Sequence, residues 1–177
     1  NDERTPLYDA SCYGSLAAVL TLLAAGADVG LRCSQGKTQV IHVAAQEGHV
    51  GILRALIHHG ADVDAGDTTE HTALHRAAFF NRAEVVDVLV GAGANIEARN
   101  CDGFTPLRGA SIRLNHEALL CLLKHGATVN VQDDFLLTPL MWAAIKAGTQ
   151  GAAEVVDSLL RAGADETIVN GDGDKAA

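Results

Sequence analysis

One pattern recurs five times along this chain at a nearly fixed interval, and that period constrains the fold more than any composition could. The clearest copy runs from Thr72 to Gly93. Thr72 offers an N-cap hydroxyl to a short helix in which Leu74, Ala77 and Ala78 share one face. Asn81 marks a break, since asparagine tolerates left-handed backbone. A second helix follows over 84–90, with Val85, Val86, Val88 and Leu89 as its apolar stripe, and Gly93 stands where a left-handed C-terminal turn belongs. The residues in the Thr72 slot are Thr5, Gln39, Thr72, Thr105 and Thr138, spaced 34, 33, 33 and 33. The closing glycines are Gly26, Gly60, Gly93, Gly126 and Gly163, spaced 34, 33, 33 and 37, and the extra residues of the last unit fall in 147–151. A helix pair of this size buries its apolar face only against neighbours, so the units must stack.

The openings of the five units read Thr5-Pro6-Leu7-Tyr8, Val40-Ile41-His42-Val43-Ala44-Ala45, Thr72-Ala73-Leu74-His75, Thr105-Pro106-Leu107-Arg108 and Thr138-Pro139-Leu140-Met141. Gly-Ala-Asp-Val or a near relative closes each one. With a period near 33, these strings resemble the ankyrin repeat over essentially the whole chain. The resemblance implies an all-α solenoid of five helix-turn-helix repeats joined by short β-hairpin-like fingers. The expected domain is a single one over 1–177, with repeats at about 2–35, 36–69, 70–102, 103–135 and 136–170, and 171–177 opening a truncated sixth. The apolar outer helix over 16–25, with Leu20 where later repeats carry Arg54 and Asp87, and the Asn at position 1, lead us to expect an excised domain with another repeat before it. Two departures weaken the pattern locally. Gln39 replaces the capping threonine, and Leu114 stands at the inter-helix break, with Asn115 displaced by one.

Composition excludes several function classes. Aromatics are only 4% against 48% hydrophobic residues, so the core is built from Ala, Leu and Val. A net charge of −9 argues against nucleic acid as a partner. No run of about 18 apolar residues occurs, so membrane insertion is not expected, and no signal peptide is visible. Cys12, Cys33, Cys101 and Cys121 fall on different elements, with Cys33 and Cys101 roughly 20 Å apart at two helix layers, too far for a disulfide. Reduced thiols, an intracellular and cytoplasmic location and a monomer are the expectation.

No constellation for catalysis, metal or cofactor emerges. His71 and His75 have an i, i+4 spacing, but His71 precedes the Thr72 cap and so belongs to a finger. His75 fills the histidine slot of the repeat, where the resemblance implies a hydrogen bond that ties helix to finger. Gly171-Asp172-Gly173-Asp174 lacks the alternating ligands and terminal Glu of a calcium loop. The chain is not expected to be an enzyme, and the resemblance points to protein binding.

The informative residues lie opposite the Leu-x-x-Ala-Ala face of each inner helix. They are Asp9, Cys12 and Tyr13; Val43, Gln46 and Glu47; Arg76, Phe79 and Phe80; Gly109, Ile112 and Arg113; Trp142, Ile145 and Lys146. Stacked, they would line a concave groove resembling the ligand groove of ankyrin proteins. None of the chain's aromatic residues falls in an outer helix, and aromatics beside Arg have the composition of binding hot spots. Repeats three to five add Arg76, Arg113 and Lys146, with Arg99 and Arg108 nearby, whereas Asp62, Asp64, Asp67 and Glu70 sit on a finger and read as solvated acids. The expected function is recognition of a protein or peptide with apolar anchors and acidic flanks, through Tyr13, Glu47, Arg76, Phe79, Phe80, Ile112, Arg113, Trp142, Ile145 and Lys146 in the groove and Arg99 and Phe104 on the fingers. Trp142 could instead fill space left by Gly109. Two alternatives are a substrate-recruiting module of a larger protein, such as a ubiquitin-ligase adaptor or kinase, and a structural spacer. Asn130, after Val129 and eight residues beyond Leu122, resembles the finger asparagine hydroxylated in this family.

Overall fold

The structure is a computed structural model that describes residues 4–33, 37–171, 173 and 175. Its described residues form ten α-helices: α1 (Pro6–Cys12), α2 (Leu16–Ala24), α3 (Val40–Glu47), α4 (Val50–His58), α5 (Ala73–Phe79), α6 (Ala83–Gly91), α7 (Pro106–Arg113), α8 (His116–Lys124), α9 (Pro139–Ala144) and α10 (Ala152–Arg161). Odd-numbered helices pack on one another in order as an inner layer, and even-numbered helices do the same outside them. The expected repeat bounds near 2 and 35–36, and most of 171–177, lie outside the described residues.

Sequence position translates directly into core columns. Leu7, Ile41, Leu74, Leu107 and Leu140, one per inner helix, are all buried. Leu56, Leu89, Leu122 and Leu159 form the matching outer column at 0% exposure. Burial of each such side chain contributes about 1.5–3 kcal/mol. Ala44, Ala77, Ala110 and Ala143 are equally buried, and their small size lets successive inner helices approach closely.

Local chemistry starts and ends each helix. Thr5, Thr105 and Thr138 accept the backbone N–H of Tyr8, Arg108 and Met141. Where histidine takes the third helical position, the cap runs in reverse. The backbone N–H of Thr72 donates to His75 Nδ1 at 3.1 Å, and that of Gln39 to His42 Nδ1 at 3.2 Å. Gln39 therefore leaves no unguarded helix start, and its side chain donates to Gly30 O across the finger. Asn81 is left-handed as its type predicts, with φ of 56°, and Leu114 takes the same conformation at φ 56° without the usual residue type.

Side chains then lace one repeat to the next. Arg82 Nε donates to Gln46 O, and Asn115 Nδ2 donates to Ala78 O and Phe79 O, each reaching the end of the preceding inner helix. The hairpin-like fingers are closed by backbone bonds from Cys33 N–H to Thr38 O, Asp67 N–H to His71 O, Asn100 N–H to Phe104 O and Asp133 N–H to Leu137 O. The last three carry a second bond from Glu70, Gly103 and Leu136 N–H back to Asp67, Asn100 and Asp133 O. All four cysteines are free thiols.

Candidate functional site

The fingers are organised around three residues 33 apart: Asp67, Asn100 and Asp133, all buried. Each side chain accepts backbone N–H groups two and four residues on: Thr69 and His71, Asp102 and Phe104, Phe135 and Leu137. The expectation of a solvated acid at Asp67 is therefore wrong. Burial raises its pKa, but bonds from Arg76, Thr69 and the His71 N–H outweigh this and hold it at about 2. The second carboxylate oxygen reaches the inner helix of the next unit. Asp67 Oδ2 accepts from Arg76 Nη2 at 2.7 Å, and Asp133 Oδ2 from Trp142 Nε1 at 2.6 Å.

Arg76 and Trp142 occupy the same register position in α5 and α9. In α7 that position is Gly109, and a Cβ built there meets nothing within 4 Å. The missing side chain leaves a recess of about 250 Å³ on the concave side. Phe79, Phe80 and Phe104 line it together with Arg76, Arg108, His71 and His75. His75 Nδ1 accepts from Thr72, so Nε2 carries the proton and donates to Phe104 O at 2.8 Å. The tie thus reaches the following finger. Burial lowers its pKa to about 4, which keeps the ring neutral. His42 repeats the arrangement on Ala65 O at 2.8 Å, its pKa also lowered by burial.

Arg108 closes one side of the recess. Its Cζ lies 3.4 Å from the Phe104 ring centroid and 4.1 Å from that of Trp142. No described residue accepts a hydrogen bond from its guanidinium, and Nε is buried without a partner. The nearest carboxylate oxygen, Asp133 Oδ2, is 3.9 Å away. Burial lowers the Arg108 pKa against the pull of Asp133 and Asp102. Farther along α7, Arg113 Cζ stands 4.8 Å from the Phe79 ring centroid.

The remaining expected site residues scatter more widely. Phe79 and Phe80 are exposed and meet edge to face at 5.4 Å. Tyr13, Ile145 and Lys146 are exposed, Ile112 is half-buried, and Glu47 accepts from Gln46 Nε2. Arg99 is engaged by the following finger, donating to Gln132 O with Asp134 at 3.6 Å. Two expectations for the open face need correction. Val43 is buried rather than free. Trp142 is half-buried and held by Asp133, so rather than standing free it backs Arg108 and Phe104, which line the recess. Asn130 Nδ2 donates to Gly163 O and its Oδ1 accepts from the Asp165 N–H, bridging two repeats.

Two features lie on the convex side. A larger recess of about 570 Å³ separates α4 from α6, but its lining mixes Arg54 and His58 with Glu84 and Asp87 and has no Phe, Tyr or Trp. Asp87, Cys121 and His125 place their ligand atoms within 4.8 Å of one another, a set that could hold a metal ion. His125 Nε2 already pairs with Asp87 Oδ1 at 2.6 Å, and burial with Asp87 nearby pushes the Cys121 pKa up to about 11. Any metal would have to displace that proton.

The family described as Ankyrin repeats (3 copies) matches residues 7–100 and again 92–170. The chain belongs to the ankyrin-repeat family. Ankyrin repeats are generally non-enzymatic protein–protein interaction modules, and no described helix is long and apolar enough to cross a membrane. Over 72 residues the chain is 40% identical to Zinc finger CCCH domain-containing protein 24 of Oryza sativa subsp. japonica, covering 38% of this chain and 9% of that protein. Over 82 residues it is 40% identical to Ankyrin repeat and SOCS box protein 16 of Mus musculus, covering 42% of this chain and 18% of that protein. The matched stretch thus spans less than a fifth of either relative.

Within the ankyrin framework, Arg108 is the residue that the sequence undervalued. It fills the slot that His75 fills one repeat earlier, so its type alone marked a departure. Paired with Gly109, where neighbours carry Arg and Trp, it was a signal available in the sequence.

Proposed function

We propose that this chain binds a protein or peptide partner along its concave groove over repeats three to five, centred on the Gly109 recess. A single observation carries the proposal: exposed Phe79 and Phe80 adjoin a recess flanked by Arg76 and Arg108. Aromatic and Arg side chains at the rim of a concavity have hot-spot composition. Ile112, Arg113, Ile145 and Lys146 extend the surface, while Tyr13 and Glu47 stand at the other end of the stack. The partner carries apolar anchors and acidic flanks, and the −9 charge of the chain repels acidic proteins that lack the anchors. No catalysis is assigned, the chain acts as a monomer, and 1–177 is one domain with the repeat bounds given above.

A second role is favoured by the relatives. The matched stretch spans a small part of each, and one is named for a SOCS box in addition to its ankyrin repeats. The groove would then recruit a substrate to a larger protein. Selection of a displayed random-peptide library on the immobilised chain tests the groove. Enriched peptides should lose about tenfold or more in affinity on Phe80→Ala. Peptides indifferent to Phe80→Ala and to Lys146→Glu would place the site elsewhere.

A further inference from the structure

We propose that the Gly109 recess is a receptor for one carboxylate side chain, a Glu or Asp of an extended partner segment, gripped by Arg108 while an adjoining apolar residue covers Phe79 and Phe80. The inference rests on the groove assignment and specifies its chemistry.

Arg108 carries five N–H donors in the plane of its guanidinium. The rings of Phe104 and Trp142 lie 3.4 and 4.1 Å from Cζ, close enough for cation–π attraction. Rings satisfy the positive face of the group but accept none of its in-plane hydrogen bonds. Asp133 is the obvious candidate for that task, yet it does not perform it. Its Oδ1 accepts the N–H groups of Phe135 and Leu137, its Oδ2 accepts Trp142 Nε1 at 2.6 Å, and Arg108 Nε stops 3.9 Å short. Nε is buried and unpaired, and the side chain as a whole is 14% exposed. A cation this desolvated, with a buried donor unmet and no acceptor among the described residues for its other N–H groups, is costly unless an acceptor arrives.

Space for that acceptor comes from Gly109. In the flanking repeats the same slot holds Arg76, bound to Asp67, and Trp142, bound to Asp133. Those side chains occupy in their own repeats what Gly109 leaves open in repeat four. The recess of about 250 Å³ equals roughly eight liquid-water volumes, room for a side chain and too little for a folded element. Of the charges around it, Asp67 is committed to Arg76, and His71 and His75 are neutral, each with its pKa lowered by burial. Asp133, occupied by Trp142 and by two backbone N–H groups, and Asp102 are the carboxylates whose pull on Arg108 an incoming acid would compete with. Arg113, on the same helix, has no acidic partner among the described residues and adds a second positive group along the path of the segment. A carboxylate matches the guanidinium edge bidentately, which neither an amide nor a hydroxyl can do.

The test uses peptides enriched from a displayed random library on the immobilised chain, resynthesised and measured by fluorescence anisotropy. Binders should share an acidic residue beside an apolar one. Changing that acid to its amide should weaken binding to the wild type about tenfold or more, and by less than about twofold on Arg108→Gln. Gly109→Trp, which copies the Trp142 slot, should keep the helical signal and melting temperature while abolishing binding. Peptides weakened by Phe80→Ala but indifferent to Arg108→Gln and Gly109→Trp overturn the carboxylate receptor and leave the groove standing. An amide penalty that persists undiminished on Arg108→Gln overturns it too, since another cation then reads the acid. Failure to enrich any peptide, or indifference to all three variants, overturns both.

Discussion

His75 should make this solenoid lose stability in mild acid, and the size of the loss follows from its two bonds. Nδ1 accepts from Thr72 and Nε2 donates to Phe104 O, so the ring is held in one neutral tautomer at 4% exposure. Protonating Nδ1 removes an acceptor that the helix start requires. The folded pKa is about 4 against 6.5 for the free side chain. Because the folded value is the lower one, the stability is complete above pH 6.5 and is lost as pH falls from there towards 4. Between about pH 7 and pH 5 the unfolded ring takes up its proton while the folded ring does not, which costs about 2 kcal/mol. His42 and His71 act in the same direction, so the wild type loses at least that much. Urea denaturation followed by helical circular dichroism should be run at both pH values on the wild type and on His75→Gln. Gln keeps a donor and an acceptor but does not titrate, so the variant should lose about 2 kcal/mol less between the two pH values. Equal losses in the two proteins refute the assignment of His75 as a buried neutral ring.

Three further outcomes are expected. Leu89→Ala, at the centre of the outer core column, should cost roughly 2–5 kcal/mol in denaturant melts, whereas Leu160→Ala, exposed on α10, should change stability by about 0.5 kcal/mol or less. Trp142→Phe keeps a ring beside Arg108 but strips Asp133 of its indole donor, and should cost about 1–3 kcal/mol by the same melts. Asn130 should gain the mass of one oxygen when the chain is incubated with an asparaginyl hydroxylase. Its two bonds to repeat five must open first, so Gly163→Pro, which distorts that partner, should speed the reaction, and an unchanged Asn130 peptide in both proteins rejects the site.

Much of the fold was legible because a repeat writes its contacts at fixed offsets. Leu7, Ile41, Leu74, Leu107 and Leu140 share one slot, and equal environments one period apart make equal burial the expected result. Asn81 announced its left-handed backbone by residue type, and Leu114 did so only through alignment. The exposure of Phe79 and Phe80 followed from the helical face opposite the alanines. Legibility stopped at the fingers. Nothing in a string of Asp, Asn and Thr distinguishes Asp67 or Asp133, turned inward onto backbone N–H groups, from Asp62 or Asp64 nearby. Trp142 likewise looked free because its partner lies nine residues back on a finger whose path no helical periodicity describes.

By itself the sequence determined the architecture: five pairs of helices, their inner and outer faces, and the register that aligns them. Those features depend on backbone periodicity and on apolar residues a fixed distance apart, so they survive without coordinates. The tertiary structure decided which charges are satisfied. Arg76 and Arg108 are both arginines near the same groove, each with a buried, unpartnered Nε, yet Arg76 donates through Nη2 to Asp67 at 2.7 Å, whereas Arg108 lies against two rings and donates to no described residue. Hydrogen bonding depends on a few tenths of an ångström and on direction, whereas burial depends only on which face a residue occupies. The recess exists because Gly109 contributes no side chain between two repeats that do, and a gap of that kind takes its shape only from the atoms packed around it.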